Sequence, residues 1–209
     1  MIDYNNKILF LIDPGHSGMV GDEYLTAPDK MFIHPDGTTI YEGVRNRVLA
    51  NFVMDLAEIE ELLILDVTGN SQLDVPLATR VKFANDLNDR YPHVVYCSLH
   101  MNAGKGLGTE IFTSPGQTGS DEHASLVMDC LDADIEDFII RPDFWSDKDV
   151  DKEAKFYVLV KTKCPAWLLE TGFMDSAHDC RLLLDDDYLF EVAKSIVRYM
   201  KKAEALELW

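Results

Sequence analysis

Short apolar runs alternate along the chain with segments in which apolar residues recur every three or four positions. The runs have the length of buried strands and end at turn residues or at single polar residues. They predict strands at 7–12, 62–67, 94–99, 109–113 and 166–169. The wider spacing is typical of amphipathic helices, and it predicts helices at 42–57, 77–87, 121–135 and 187–203. Segment 155–161 fits either a strand or a helix.

This alternation of strands and helices predicts an α/β fold, a three-layer α/β/α sandwich in which helices cover both faces of a mostly parallel, twisted sheet. With 209 residues the chain can bury one substantial core, and no low-complexity stretch divides it, so we expect a single domain over residues 1–209. Segment 17–41 is rich in Gly, Pro and Asp and has no sustained period. We interpret it as a long loop that borders a pocket, because structureless segments of this length occur mostly at functional sites.

The formal net charge of -18 limits the possible partners. Binding to DNA or RNA needs a basic face, and the chain has no cluster of Lys and Arg, so we expect no nucleic-acid partner. An acidic surface also repels anionic polymers in general. A substrate on such a polymer would have to be held by local contacts or by a separate targeting module.

The sequence shows neither an export signal nor a membrane-spanning segment. The first apolar run is short, and Asp3 lies where a signal peptide would carry positive charge. No apolar stretch approaches the ~20 residues that cross a bilayer. We therefore expect a protein that is made in the cytoplasm and has no membrane partner.

Three residues with chemically active side chains follow predicted strands. His16 comes after LFLIDPG, His100 after VVYCSL, and Glu170 after AWLL. In open α/β sheets, ligands bind in the crevice beyond the carboxyl ends of the strands. The pattern therefore predicts a functional site at this edge of the sheet, and packing alone does not explain it.

A fourth candidate, Glu42, begins the first predicted helix. It shares one helical face with Asn46, Leu49 and Val53, and that face is expected to point into the protein. A buried carboxylate without a partner costs several kcal/mol, so coordination of a metal would explain its position.

Two imidazoles and one carboxylate are the protein ligands of a catalytic zinc site, which keeps a further position open for water. Imidazole favours zinc, whereas Mg²⁺ and Ca²⁺ prefer oxygen ligands only. We predict one Zn²⁺ ion held by His16, Glu42 and His100, with Glu170 unligated and acting first as a base and then as an acid. Each residue also has an ordinary alternative: a histidine bonded to loop backbone, a glutamate that stabilises a helix N-terminus, or an ion-pair partner.

The remaining histidines and the cysteines are weaker candidates for metal binding. The histidines lie in polar stretches, without an apolar run that would position them; they are His34, His93, His123 and His178. The cysteines are far apart and lack metal-site spacing, which favours reduced, partly buried thiols; they are Cys97, Cys130, Cys164 and Cys180.

Four motifs resemble, in the same order, those of the zinc-dependent N-acetylmuramoyl-L-alanine amidases of bacterial cell-wall hydrolases and phage endolysins. They are DPGHSG at 13–18, YEGVRNRVLA at 41–50, SLHMNA at 98–103 and LLETGFMD at 168–175. RVKFAN at 80–85 and GTEIF at 108–112 are further matches. Because the motifs span nearly the whole chain at compatible spacing, the resemblance is specific.

The resemblance implies a peptidoglycan substrate and cleavage of the amide between N-acetylmuramic acid and L-alanine. It implies that zinc is held by His16, Glu42 and His100, and it is the main reason to assign Glu170 as the catalytic carboxylate instead of a fourth ligand. We expect a monomer without a separate wall-binding domain. Lacking an export signal, the protein would reach the cell wall through a membrane pore.

Three other functions are open at this point. A zinc peptidase acting on the stem peptide would use the same ligands. A wall-binding relative without activity would share the fold, although all four site residues are present here. A flavodoxin-like nucleotide binder would explain the strand–helix alternation but neither His100 nor Glu170.

Overall fold

The computed structural model describes residues 6–26, 30–143 and 149–209. The strands are β1 (Leu9–Pro14), β2 (Met19–Val20), β3 (Glu23–Tyr24), β4 (Met31–Ile33), β5 (Thr39–Tyr41), β6 (Leu63–Asp66), β7 (Val94–Asn102), β8 (Glu110–Thr113), β9 (Lys152–Glu153) and β10 (Ala166–Phe173). The helices are α1 (Glu42–Ile59), α2 (Leu77–Asn88), α3 (Gly119–Asp134), α4 (Tyr157–Lys161), α5 (Ala177–Leu184) and α6 (Asp186–Ala205).

A six-stranded sheet forms the centre of the molecule, with the strand order β6-β1-β7-β10-β8-β9. The first four strands of this order run parallel to one another. Strand β8 pairs antiparallel with β10, and the short β9 runs parallel to β8. The sheet is therefore mostly parallel, as predicted.

Helices cover both faces of this sheet because the side chains of each strand alternate between two cores. On β1, Phe10 and Ile12 pack into a core with residues of α1, α3 and α6. Leu9 and Leu11 point to the opposite face, where they share a second core with residues of α2 and α4. The predicted three-layer α/β/α sandwich is confirmed.

Segment 17–41 differs from the predicted structureless loop. It contains two short hairpins, β2 with β3 and β4 with β5. Strands of two or three residues are too short to show an alternating pattern, so the prediction was wrong here. Helix α5 was also not predicted, although Ser176 caps it by accepting a hydrogen bond from the backbone N–H of Asp179 at 3.2 Å.

Two further observations concern the cysteines and the apolar character of the helices. All four cysteines are buried and unbridged, in agreement with the sequence analysis. Within the described residues, no helix combines the length and apolar character that crossing a bilayer requires.

Candidate metal centre

Neighbouring strands bring the predicted site residues to one edge of the sheet. β1 lies beside β7, and β7 beside β10, with Glu170 and His100 as direct partners in the register. His16 follows β1, but His100 and Glu170 lie inside their strands, which continue to Asn102 and Phe173. The predicted strand ends were thus too early, while the expected convergence of these residues is present.

Helix α1 adds Glu42 to this group from the face of the sheet. The carboxylate oxygen Oε1 lies 2.9 Å from Nδ1 of His100 and 3.1 Å from Nε2 of His16. The two imidazole rings are 4.9 Å apart, centroid to centroid, and nearly perpendicular. One ligand atom from each of the three residues lies within 4.8 Å of the others, the only such group among the described residues.

The charges of this group are strongly coupled. Glu42 is only 2% exposed. Burial acts to raise its pKa, but the His100 and His16 imidazoles hold the pKa well below its usual range. Burial lowers the pKa of His100, and the carboxylates of Glu42, Glu170 and Asp13 reverse that effect and raise it overall. The site therefore favours an ionised Glu42 facing positive charge.

The donor atoms fit a zinc ion. Nε2 of His16 is buried and makes no hydrogen bond, although it lies next to a carboxylate. A buried ring nitrogen without a hydrogen-bond partner destabilises the folded state unless it coordinates a cation. Two imidazole nitrogens and one carboxylate oxygen are a typical ligand set for catalytic zinc.

Two arginines that the sequence analysis did not assign to the site hold the backbone of His16. The His16 carbonyl accepts hydrogen bonds from Nη2 of Arg47 at 2.8 Å and from Nη2 of Arg80 at 3.3 Å. Arg80 also forms a buried ion pair with Asp13, whose other carboxylate oxygen accepts a hydrogen bond from Ser98 at 2.8 Å. The only sequence signals were the matches of YEGVRNRVLA, which contains Arg47, and RVKFAN, which begins with Arg80, to the family pattern.

Glycines next to two of the ligands permit the close packing of the site. A Cβ atom on Gly15 would lie 2.3 Å from Cε1 of His100. A Cβ atom on Gly43 would lie 1.9 Å from the backbone oxygen of Ser17. Glycine is therefore required at Gly15 of the DPGH segment and at Gly43 of the YEG segment, because a larger residue would collide with other segments of the same chain.

Glu170 lies beside the group without belonging to it. Its Oε2 atom is buried and has no hydrogen-bond partner. Burial raises the pKa of Glu170 to about 7; His100 opposes the shift, whereas the Glu42 and Glu110 carboxylates add to it. A carboxyl group with a pKa near neutrality can both accept a proton and return it.

The remaining histidines have other contacts. His34 contacts the backbone oxygen of Met174 at 2.9 Å, and His178 contacts the Asp179 carboxylate at 3.0 Å. His123 is buried against Tyr199, and His93 stacks on Trp209. None of these four belongs to the group of possible metal ligands in the described part of the chain.

Fold and site together define an α/β protein with a candidate mononuclear metal centre at the carboxyl ends of parallel strands. A family profile described as N-acetylmuramoyl-L-alanine amidase matches residues 10–202. Because this match covers nearly the whole chain, the protein belongs to the N-acetylmuramoyl-L-alanine amidase family. The family resemblance inferred from the four motifs is confirmed.

Individual relatives agree with this assignment. The N-acetylmuramoyl-L-alanine amidase CwlM of Bacillus licheniformis is 28% identical over 196 residues, which cover 94% of this chain and 68% of the relative. The solved structure of the amidase AmiC2 of Nostoc punctiforme has a TM-score of 0.74 at 23% identity and covers 97% of this chain and 98% of that one. Ami1 from Mycobacterium smegmatis has a TM-score of 0.75 at 20% identity, with 96% and 97% covered. At these identities the solved structures support the shared fold.

Proposed function

We propose that this protein is a zinc-dependent amidase that hydrolyses the bond between N-acetylmuramic acid and L-alanine in peptidoglycan. Family membership supports amidase activity on peptidoglycan. The observation that carries the zinc dependence is the convergence of His16, Glu42 and His100, whose ligand atoms lie within 4.8 Å of one another.

The three ligands would hold one zinc ion through two imidazole nitrogens and one carboxylate oxygen. When bound, zinc supplies Lewis acidity, which lowers the pKa of water to roughly 7 and polarises the scissile carbonyl. Arg47 and Arg80 keep the His16 backbone in place through its carbonyl oxygen. Such fixed ligand geometry limits the rearrangement needed when the metal binds.

Glu170 is the proposed proton carrier. Its carboxylate takes a proton from the attacking water and passes it to the nitrogen of the leaving L-alanine, which breaks the amide and leaves a free amino group. Its buried, unpartnered Oε2 supports this role because no hydrogen bond within the protein competes for that oxygen. Its position outside the ligand group supports a catalytic role over a coordinating one.

Replacing Glu170 by Ala tests this assignment. We expect the variant to retain one zinc ion per chain and to lose at least about a hundredfold in hydrolysis of purified cell walls, since general acid–base catalysis is worth about that much. Metal analysis and the rate of turbidity loss measure the two effects. Glu122→Ala, at an exposed position of α3, is the matched control. Loss of zinc together with loss of activity would instead show that Glu170 is a metal ligand.

Product analysis separates the proposed amidase from a zinc peptidase that uses the same ligands. An amidase releases whole stem peptides with new L-alanine amino termini. Shortened peptides that remain attached to the glycan would identify a peptidase. A protein that binds walls and releases neither product would be an inactive relative.

A further inference from the structure

The row of polar side chains that includes His100 and Glu170 continues across the sheet. On the next strand, Glu110 is the direct partner of Glu170 in the antiparallel pairing of β8 with β10. Side chains of directly opposed residues lie side by side on the same face. Glu110 is buried, and its charge contributes to the raised pKa of Glu170.

Two cations share the Glu110 carboxylate. Oε1 accepts hydrogen bonds from Nε of Arg141 at 2.7 Å and from Nζ of Lys152 at 2.6 Å. Oε2 accepts a hydrogen bond from Nδ2 of Asn102 at 2.8 Å. Arg141 and Lys152 thus bring two positive charges to the one Glu110 carboxylate, in a chain whose formal net charge is -18.

Both cations are fixed and yet reach solvent. The Arg141 guanidinium lies 5.1 Å from the centroid of the Phe173 ring, in a cation–π contact. The side chains of Arg141 and Lys152 remain 40% and 25% exposed. Such a preorganised guanidinium suits recognition of a carboxylate.

The proposed mechanism determines which part of the substrate reaches these cations. The scissile carbonyl must face the His16, Glu42 and His100 group, at β1 and β7. The leaving nitrogen must face Glu170, on β10, because that residue returns the proton to it. The stem peptide therefore extends from Glu170 toward β8 and β9, where Glu110 and Lys152 lie.

We propose that Arg141 and Lys152 form a subsite that binds a free carboxylate on the leaving peptide, namely the α-carboxylate of the D-glutamyl residue after L-alanine. This inference rests on the proposed amidase function. It supplies the local contact that a strongly acidic protein needs to hold an anionic substrate. Wall material in which this carboxylate is amidated would be a poorer substrate.

The test compares two soluble muropeptides that differ only in a free or an amidated α-carboxyl group on that residue. For the zinc-loaded full chain, we expect kcat/KM to be about tenfold higher for the acid, as charge-assisted hydrogen bonds are stronger than neutral ones. Arg141→Gln should lower kcat/KM for the acid far more than for the amide, through KM, and Arg141→Lys should keep part of the preference. Lys152→Met should also reduce the preference for the acid over the amide.

Arg198→Gln and Lys163→Met are the matched controls, because both residues form ion pairs with partly exposed side chains elsewhere on the molecule. We expect each to keep the preference of the wild type. Equal kcat/KM of the wild type for the two muropeptides would overturn the subsite while leaving the amidase function intact. An equal loss for both in Arg141→Gln would reduce Arg141 to a structural role. Cleavage of neither muropeptide by the wild type would overturn the amidase function and the subsite with it.

Discussion

His16 adopts an unusual backbone conformation for a residue with a side chain. Its φ angle is 64°, in the left-handed region, which costs about 1 kcal/mol or more for a residue other than glycine. The hydrogen bonds from Arg47 and Arg80 to its carbonyl oxygen offset this cost. The motif DPGH predicts a ligand at this position, but the conformation that aims the imidazole is held by distant parts of the chain.

Substitution of Gly43 tests how tightly the ligand group is packed. In Gly43→Ala, the added Cβ would lie 1.9 Å from the backbone oxygen of Ser17, so the first turn of α1 must shift. Overpacking of this kind typically costs about 1–3 kcal/mol, and we also expect weaker zinc binding because Glu42 moves with the turn. Urea unfolding and zinc titration measure the two effects.

Gly119→Ala is the control for this substitution. At Gly119 the nearest atom to an added Cβ is Cγ of Pro165, at 3.8 Å, an ordinary contact. We expect its stability and zinc affinity to stay close to those of the wild type. If Gly43→Ala behaves in the same way, the first turn of α1 does not set the position of Glu42.

At the scale of elements, the contacts between strands decide where the site residues lie. The apolar runs predict ends at residues 99 and 169, whereas β7 and β10 continue through the His100 and Glu170 pair. Backbone hydrogen bonds between parallel strands do not depend on whether the side chains are apolar. A strand boundary predicted from hydrophobicity therefore marks the edge of the core, which differs here from the end of the strand.

Packing of α3, α6 and β10 depends on a buried polar contact that is sensitive to acid. Nε1 of Trp167 donates to the Tyr199 hydroxyl at 3.1 Å, and that hydroxyl lies 2.9 Å from Nδ1 of His123. Burial lowers the pKa of His123 to about 4. In the unfolded state the pKa of a histidine is ~6.5, so between pH ~6.5 and pH 4 the unfolded chain binds more protons than the folded chain. The free energy of unfolding therefore keeps its full value above pH ~6.5 and falls as the pH drops toward 4.

We therefore predict that His123→Gln reduces the acid sensitivity of folding. Glutamine can accept the hydrogen bond from Tyr199 but does not titrate. Between pH 7 and pH 4.5, the wild type should lose roughly 2 kcal/mol more in free energy of unfolding than the variant. His178→Gln is the control because the His178 side chain is 53% exposed. Identical pH profiles for wild type and His123→Gln would contradict the prediction.

At the scale of the whole molecule, the candidate metal centre joins the strands β1 and β7 to helix α1. An ion that binds only the folded chain stabilises it by mass action, by about 2.7 kcal/mol when free metal is a hundredfold above Kd. We expect chelator-treated protein to bind one zinc ion per chain with a rise in Tm. His16→Ala should abolish the rise, and His34→Ala should retain it. A Tm that zinc does not change in the wild type would count against the centre.

Long-range contacts explain which functional residues the sequence analysis missed. Glu110 is 31 positions from Arg141 and 42 from Lys152, and no local pattern joins them. Arg47 and Arg80 lie in segments that match the family motifs, but only the structure shows their contacts with the His16 backbone. The short hairpins of segment 17–41 escaped prediction because their few residues carry no measurable period.

By itself, the sequence determined the fold class, most of the elements of the central layers and the four candidate site residues. These follow from apolar periodicity and from polar residues that interrupt it, and both are local properties of the chain. Tertiary structure alone decided the approach of Glu42 to both histidines, the burial that raises the pKa of Glu170 and the pairing of Glu110 with two cations. These distances, this burial and these charge interactions exist only once the sheet and its helices have packed together. The physical reason is that side-chain charges interact through space and not along the chain.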